Sequence, residues 1–265
     1  MGKKQVLLIS AGLVPGAAAE AAADAAASAF PGYEIAQTPL HSVAQALERA
    51  IERQVTTLIL QPVLLLRGET YRRIADTAAG YAGQFSVLRV GAPLLDTEED
   101  IRTVAGLLAD IARPYDGGET AVCFVGHGST PQGNAVYEQL QGMLAGYCFV
   151  GLLRGRPGPE DIMAKVRAGP YRRVVLHPLL WAAGGHAVRD IAGEGETAWK
   201  TAFARAGYPV ECIMRGLGEY GPTASLLAAH GRVFAGTVRA GCSTSTDSPF
   251  PEGKNGPDRP PPDRA

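Results

Sequence analysis

The 265-residue chain predicts an α/β protein of two similar lobes, each a four-stranded parallel sheet flanked by helices. Three observations give that class. Short apolar runs rich in Val, Ile and Leu alternate with longer amphipathic or alanine-rich stretches, as buried parallel strands alternate with their crossover helices. Two such runs lead to a glycine-framed histidine, His127 in Gly126-His127-Gly128-Ser129-Thr130 and His186 after Gly184-Gly185. Strand ends in open α/β sheets are where ligands bind, and glycine lets backbone and ligand approach closely. Finally, shifting the first half by 116 positions lays Gly12 on Gly128, Pro15 on Pro131, Pro62 on Pro178, Gly68 on Gly184 and Leu58-Ile59-Leu60 on Val174-Val175-Leu176, as an internal duplication does.

Taken in order, Val6 to Ser10 reads as a buried strand and 17–30 as a helix of high alanine propensity, stopped by Pro31-Gly32. A helix over 42–53, a strand over 56–60, a mostly helical stretch over 68–81 and a strand over 87–90 follow. The half closes with a helix over 98–113. Thr97 caps it, its first turn is acidic, and Ile101, Val104, Leu108 and Ile111 share one face. The turn-forming Tyr115 to Glu119 separates a lobe over 1–117 from a second over 118–238. There the order repeats, with strands over 121–125, 147–152, 172–177 and 209–214 and helices over 132–145, 159–168, 187–206 and 222–235. Residues 239–265, rich in Ser, Thr, Pro, Gly and Asp, carry too little apolar surface to fold and are expected to form a disordered tail.

A net charge of −1 offers no basic excess for nucleic acid, and no apolar run is long enough to span a membrane. Arginine outnumbers lysine, which suits recognition of carboxylates by guanidinium. Cys123, Cys148, Cys212 and Cys242 form no Cys-x-x-Cys pair, so they read as free thiols in a reducing cytoplasm rather than as a zinc knuckle or disulfide framework. Lys3-Lys4 ahead of Val6-Leu7-Leu8-Ile9 imitates the start of a signal peptide. The same segment is the first strand of the repeat, so a cytoplasmic location is expected. The sequence leaves a homo-oligomer open.

Both framed histidines are missing from the first copy, where Ala11 and Thr70 take their places. That points to one active site in the second lobe rather than to packing. Two neutral imidazoles can bind a borderline divalent metal or take protons from a substrate. His177, ahead of Pro178 in an apolar run, is a candidate third ligand. His41 and His230 lack a glycine frame and read as surface or helix residues. Ser129 does not sit in a Gly-x-Ser-x-Gly elbow, and no acid is placed to orient a base for it.

The ordered set Gly126-His127-Gly128-Ser129 with Asn134 and Tyr137, Pro178-Leu179-Leu180 through Ala183-Gly184-Gly185-His186-Ala187, Asp190, Trp199-Lys200 and Gly216-Leu217-Gly218-Glu219 resembles the anaerobic sirohydrochlorin cobaltochelatases, CbiK-like relatives of ferrochelatase among the class II chelatases. The likeness covers most of residues 1–235. It implies a chelatase-like fold and ATP-independent insertion of a divalent metal, Co²⁺ ahead of Fe²⁺ or Ni²⁺, into sirohydrochlorin, a flexible octacarboxylate tetrapyrrole on the route to cobalamin. The metal is then a substrate, and no cofactor is bound permanently. On this resemblance His127 and His186 are the metal-binding and catalytic residues, and Ser129, Arg154, Arg156, Gly184 and Gly185 meet the tetrapyrrole, the arginines through its acetate and propionate groups. Arg154 stands where relatives carry a metal-binding Glu, and an arginine does not bind a cation. Leu64 stands where relatives often have a histidine, Ser10-Ala11-Gly12-Leu13 replaces Ser-Phe-Gly-Thr, and Gly185 replaces an aspartate. The alternative is a carrier or regulatory protein that binds tetrapyrrole or metal without turnover; both histidines in intact glycine frames favour the enzyme.

Overall fold

The structure is a computed structural model that describes residues 2–10, 16–232 and 234–237. The first half runs β1 (Lys3–Ser10), α1 (Ala17–Ala29), β2 (Glu34–Pro39), α2 (Val43–Glu52), β3 (Val55–Pro62), α3 (Glu69–Gly80), β4 (Val87–Gly91) and α4 (Glu98–Ala112). The second runs β5 (Thr120–Gly126), α5 (Pro131–Met143), β6 (Cys148–Leu152), α6 (Pro159–Ala168), β7 (Arg173–Leu179), α7 (Trp199–Arg205), β8 (Val210–Cys212), α8 (Gly221–His230) and β9 (Phe234–Thr237). The sheets are ordered β2-β1-β3-β4-β9 and β6-β5-β7-β8. Up to β9 the two orders are the same and every pairing is parallel, so the duplication read from the sequence is present in the topology.

Four expectations are corrected. β2 is absent from the sequence reading, because Glu34–Pro39 lacks an apolar run and buries only Thr38 at the edge of its sheet. The first sheet has five strands rather than four: β9 pairs antiparallel with β4, Arg89 opposite Thr237 and Gly91 opposite Phe234. A strand from the second half therefore completes the first half's sheet. The helix expected over 222–235 stops at His230 to supply that strand, and the helix expected over 187–206 is a wide turn, Ala187–Ile191, a loop, and then α7. The repeat matches at Gly12 and Pro15, the substitutions at Ala11 and Leu13, Cys242 and the 239–265 tail lie outside the described residues.

The chain forms three apolar layers. The outer face of the first sheet packs Leu47 and Ile74 against Leu58 and Leu60, and that of the second packs Trp199 and Phe203 against Cys123 and Val174. Between the sheets lies one shared layer, in which Leu94, Val104 and Leu108 of the first half meet Phe124, Tyr137 and Leu140 of the second. Helices α1, α4, α5 and α8 supply it, with α4 on α5 and α1 on α8. At the start of α4 the Thr97 hydroxyl accepts the Asp100 N–H at 3.2 Å while Asp100 Oδ2 accepts the Thr97 N–H at 2.8 Å, so two otherwise unpaired helix donors satisfy each other's residues.

Asp100 has a second task. Its Oδ1 receives a hydrogen bond from His230 Nε2 at 2.9 Å, and His230 Nδ1 donates to the Pro93 carbonyl at 2.8 Å. Both ring nitrogens are thus engaged, and α8 and α4 are joined through a buried histidine–carboxylate contact. His230 is thus a helix residue, as one of its two readings had it, and is buried rather than on the surface. Among the described residues no helix is long and apolar enough to cross a membrane, and Cys123, Cys148 and Cys212 are free thiols.

Candidate metal centre

β5 is buried along its whole length and ends at Gly126, which delivers His127 to the end of the sheet. The glycine frame is a geometric requirement. The Tyr137 ring occupies the space a Cβ on Gly126 would take, and Gly128 has φ +85°, with the Arg154 carbonyl where its Cβ would go. The loop is pinned to the segment after β6 by Leu153 N–H to Gly126 O at 2.8 Å and Arg154 N–H to His127 O at 2.9 Å. Asn134 Oδ1 accepts the Ser129 N–H at 2.8 Å, and Thr130 caps α5. Burial pushes the Tyr137 phenol up to about 12, against a backbone hydrogen bond from Gly128, so it stays neutral under the loop.

His186 reaches the same place from β7. After Leu179 the chain passes through Gly184 and Gly185 into the wide turn, closed by Ala192 N–H to Ala187 O at 2.9 Å, five residues apart. Gly193 follows because the Arg189 carbonyl leaves no room for a Cβ. Ala187 and Ile191 are fully buried, while His186 and Asp190 are half-exposed.

The two imidazoles meet edge to face with ring centroids 4.9 Å apart at 70°. His127 Nδ1 lies 3.1 Å from the Gly128 carbonyl and His186 Nδ1 2.6 Å from Asp190 Oδ2, so each ring donates its Nδ1 proton to a fixed acceptor. Both Nε2 lone pairs are left open, as a pair of metal ligands or proton acceptors requires. Among the described residues no group of three or more His, Cys, Asp or Glu could hold a metal ion. An ion held by this pair depends on donors from elsewhere, and few protein ligands keep it exchangeable.

His177 does not join them. It is fully buried in β7, its Nδ1 donates to the Pro178 carbonyl at 2.9 Å and its Nε2 accepts the Tyr220 hydroxyl at 3.0 Å. Both nitrogens are engaged, so the expectation of a third ligand is corrected. Burial pushes its pKa down to about 4 despite the Pro178 bond. The folded value lies below the ordinary one of about 6.5, so the unfolded chain binds more protons between these values. The resulting stability is full above about pH 6.5 and is lost as pH falls to about 4, by roughly 3 kcal/mol. His177→Gln is expected to flatten that slope, measured as urea midpoints from pH 7 to 4. Glutamine is the residue at the duplicate position, where Gln61 Nε2 makes the same bond to Pro62 O at 3.1 Å.

Of the expected tetrapyrrole contacts, Arg154 is exposed and its side chain makes no hydrogen bond or ion pair among the described residues, while its backbone is bound to His127. Arg156 is instead paired through two nitrogens with Asp161, whose Oδ2 also accepts the Gly158 N–H at 2.9 Å to close the start of α6. Its guanidinium is thus shared with a partner at the start of α6, while its side chain stays exposed. Ser129 sits where the lobes meet, its Oγ 3.1 Å from where a Cβ on Gly68 would be. Gly184 accepts the Val188 N–H at 3.0 Å, and Gly185 is exposed with only Arg189 Nη1 near, so no steric demand calls for glycine there.

One further cation was missed by the sequence reading. Arg67 precedes Gly68, stacks 4.8 Å from the Tyr71 ring centroid and pairs with Asp96, Nη2 to Oδ2 at 2.8 Å. Its carboxylate lies 29 positions away, beyond the reach of any local pattern.

The sequence profile of the cobalt chelatases (CbiK) matches residues 34–232. The chain is 28% identical over 196 residues to the sirohydrochlorin cobaltochelatase of Salmonella typhimurium, across 73% of this chain and 72% of that one. It is 30% identical over 185 residues to the sirohydrochlorin cobaltochelatase CbiKC of Nitratidesulfovibrio vulgaris, across 68% of this chain and 65% of that one. Among solved structures, SirB from Bacillus subtilis with Fe³⁺ superposes with a TM-score of 0.63 at 16% identity, over 87% of this chain and 94% of that one. CbiX, described as the terminal enzyme of siroheme biosynthesis in denitrifying bacteria, gives 0.56 at 17%, over 87% and 99%. These two likenesses show the fold. The profile spans three quarters of the sequence and takes in both histidines and the strands that carry them, and on that match the chain belongs to the cobalt chelatase (CbiK) family of metal chelatases.

Proposed function

We propose that the protein inserts Co²⁺ into sirohydrochlorin without ATP, in cobalamin biosynthesis. The observation that carries this reading is the pair of imidazoles 4.9 Å apart, each with Nδ1 anchored and Nε2 open. Insertion exchanges two pyrrole N–H protons for one dication, so the site must offer a metal donor and a base within reach of the ring. Neutral imidazole serves as either near neutral pH. The ion is a substrate here, held by few protein ligands and passed on. Donors of this type suit Co²⁺, Fe²⁺ and Ni²⁺ alike; the choice of Co²⁺ rests on the names of the two curated relatives. The free thiols of Cys123 and Cys148 suit a reducing cytoplasm.

Arg154 supplies an uncommitted guanidinium beside the His127 loop for an acetate or propionate of the macrocycle. Arg154→Ala is expected to raise the KM for sirohydrochlorin about tenfold with kcat within about twofold, since it removes binding that ground and transition states share. The reading as a whole is tested by mixing the protein anaerobically with sirohydrochlorin and Co²⁺ and following absorbance. Repeated release of metallated product supports an enzyme. A single stoichiometric spectral change without release overturns it in favour of a carrier.

A further inference from the structure

We propose that Asp190 is the positioning residue of this centre: its carboxylate fixes the ring orientation and tautomer of His186, so that Nε2 is the atom offered to the ion. The proposal rests on the two-histidine reading above. Its basis is the bond from His186 Nδ1 to Asp190 Oδ2, at 2.6 Å shorter than an ordinary N–H···O bond, as a charged acceptor makes it. The same bond in His127 runs to a neutral carbonyl at 3.1 Å. The two rings are therefore oriented by unlike acceptors, and only His186 has an anion behind it. A carboxylate on the far nitrogen makes the near one the stronger donor.

The local fold keeps Asp190 available for this task. Ala187 and Ile191 do the burying on this turn, and Asp190 makes no other hydrogen bond or ion pair among the described residues. With both side chains about two-fifths exposed, the pair adds little to stability. The five-residue closure from Ala192 to Ala187, and the glycine at 193 that lets the chain leave it, hold Asp190 four positions beyond His186 and within bonding distance. A bond that contributes little to holding the fold, yet sets which nitrogen of a site histidine is free, acts on the site.

The test is titration of the metal-free protein with Co²⁺, read from the visible absorption of the bound ion, beside steady-state insertion into sirohydrochlorin. Asp190→Ala is expected to weaken Co²⁺ binding and lower kcat/KM for Co²⁺ by about 10- to 100-fold, with the KM for sirohydrochlorin and the melting temperature unchanged. Asp190→Asn keeps an oxygen that accepts the Nδ1 proton but loses the charge, so it is expected to recover the part of both losses that ring orientation accounts for and to stay below wild type. Asp190→Ala with wild-type Co²⁺ affinity, beside a His186→Ala protein that has lost it, overturns the proposal. So does an Asn variant no better than Ala. His186→Ala binding and inserting Co²⁺ like wild type overturns the two-histidine reading itself, which tells the two failures apart.

Discussion

His127→Ala is expected to reduce metal insertion by about 100-fold or more while the protein melts within a degree or two of wild type. The loss is large because the centre has two open imidazole nitrogens and, among the described residues, no cluster of three ligands to fall back on. The stability change is small because the ring is only partly buried and its one hydrogen bond is to the neighbouring Gly128 carbonyl. The loop itself is held by the backbone bonds of Gly126 and His127 to Leu153 and Arg154, which alanine retains. Anaerobic absorbance of sirohydrochlorin with Co²⁺ measures the rate, thermal melting the fold, and His41→Ala, at an exposed histidine on the first lobe, serves as control. Wild-type turnover in His127→Ala would remove this site from consideration.

The largest stability effect is expected where α8 meets α4. His230→Ala leaves the Asp100 carboxylate buried with Oδ1 unpaired and takes the donor from the Pro93 carbonyl. Stranding a buried carboxylate by removing its partner typically costs about 3 kcal/mol, and in a chain of this size that lowers the melting temperature by roughly 10 °C. Because neither His230 nor Asp100 is hydrogen-bonded to His127 or His186, insertion at 25 °C is expected to stay near the wild-type rate. A fall of less than about 2 °C would show that the pair does not hold α8 to α4.

The parts of this architecture that could be read from sequence are those whose cause is local or repeated. Gly126 and Gly128 announce His127 because each is forced by a neighbour that leaves no room for a Cβ, and the duplication shows that the first copy lacks the histidine. The capped, acidic start of α4 was legible for the same reason. What escaped was decided by distant partners. β2 is an edge strand with one buried residue and so carries no apolar run. β9 exists only through its pairing with β4, and His230 is read correctly only once Asp100, 130 positions earlier, lies beside it. Arg156 is the opposite case. Its partner Asp161 is five positions on, in the first turn of α6, and the pairing was there to be seen.

The shared apolar layer also bears on how a large macrocycle gains entry. Two lobes joined by a linker open like a book when their interface is small and wet. Here that movement would carry Leu94, Val104, Leu108, Phe124 and Leu140 into water together, at about 1.5–3 kcal/mol for each side chain. Opening of that kind is therefore costly, and small sliding of packed helices is the movement the layer allows. For the proposed tetrapyrrole, insertion then calls on bending of the ring more than on opening of the lobes.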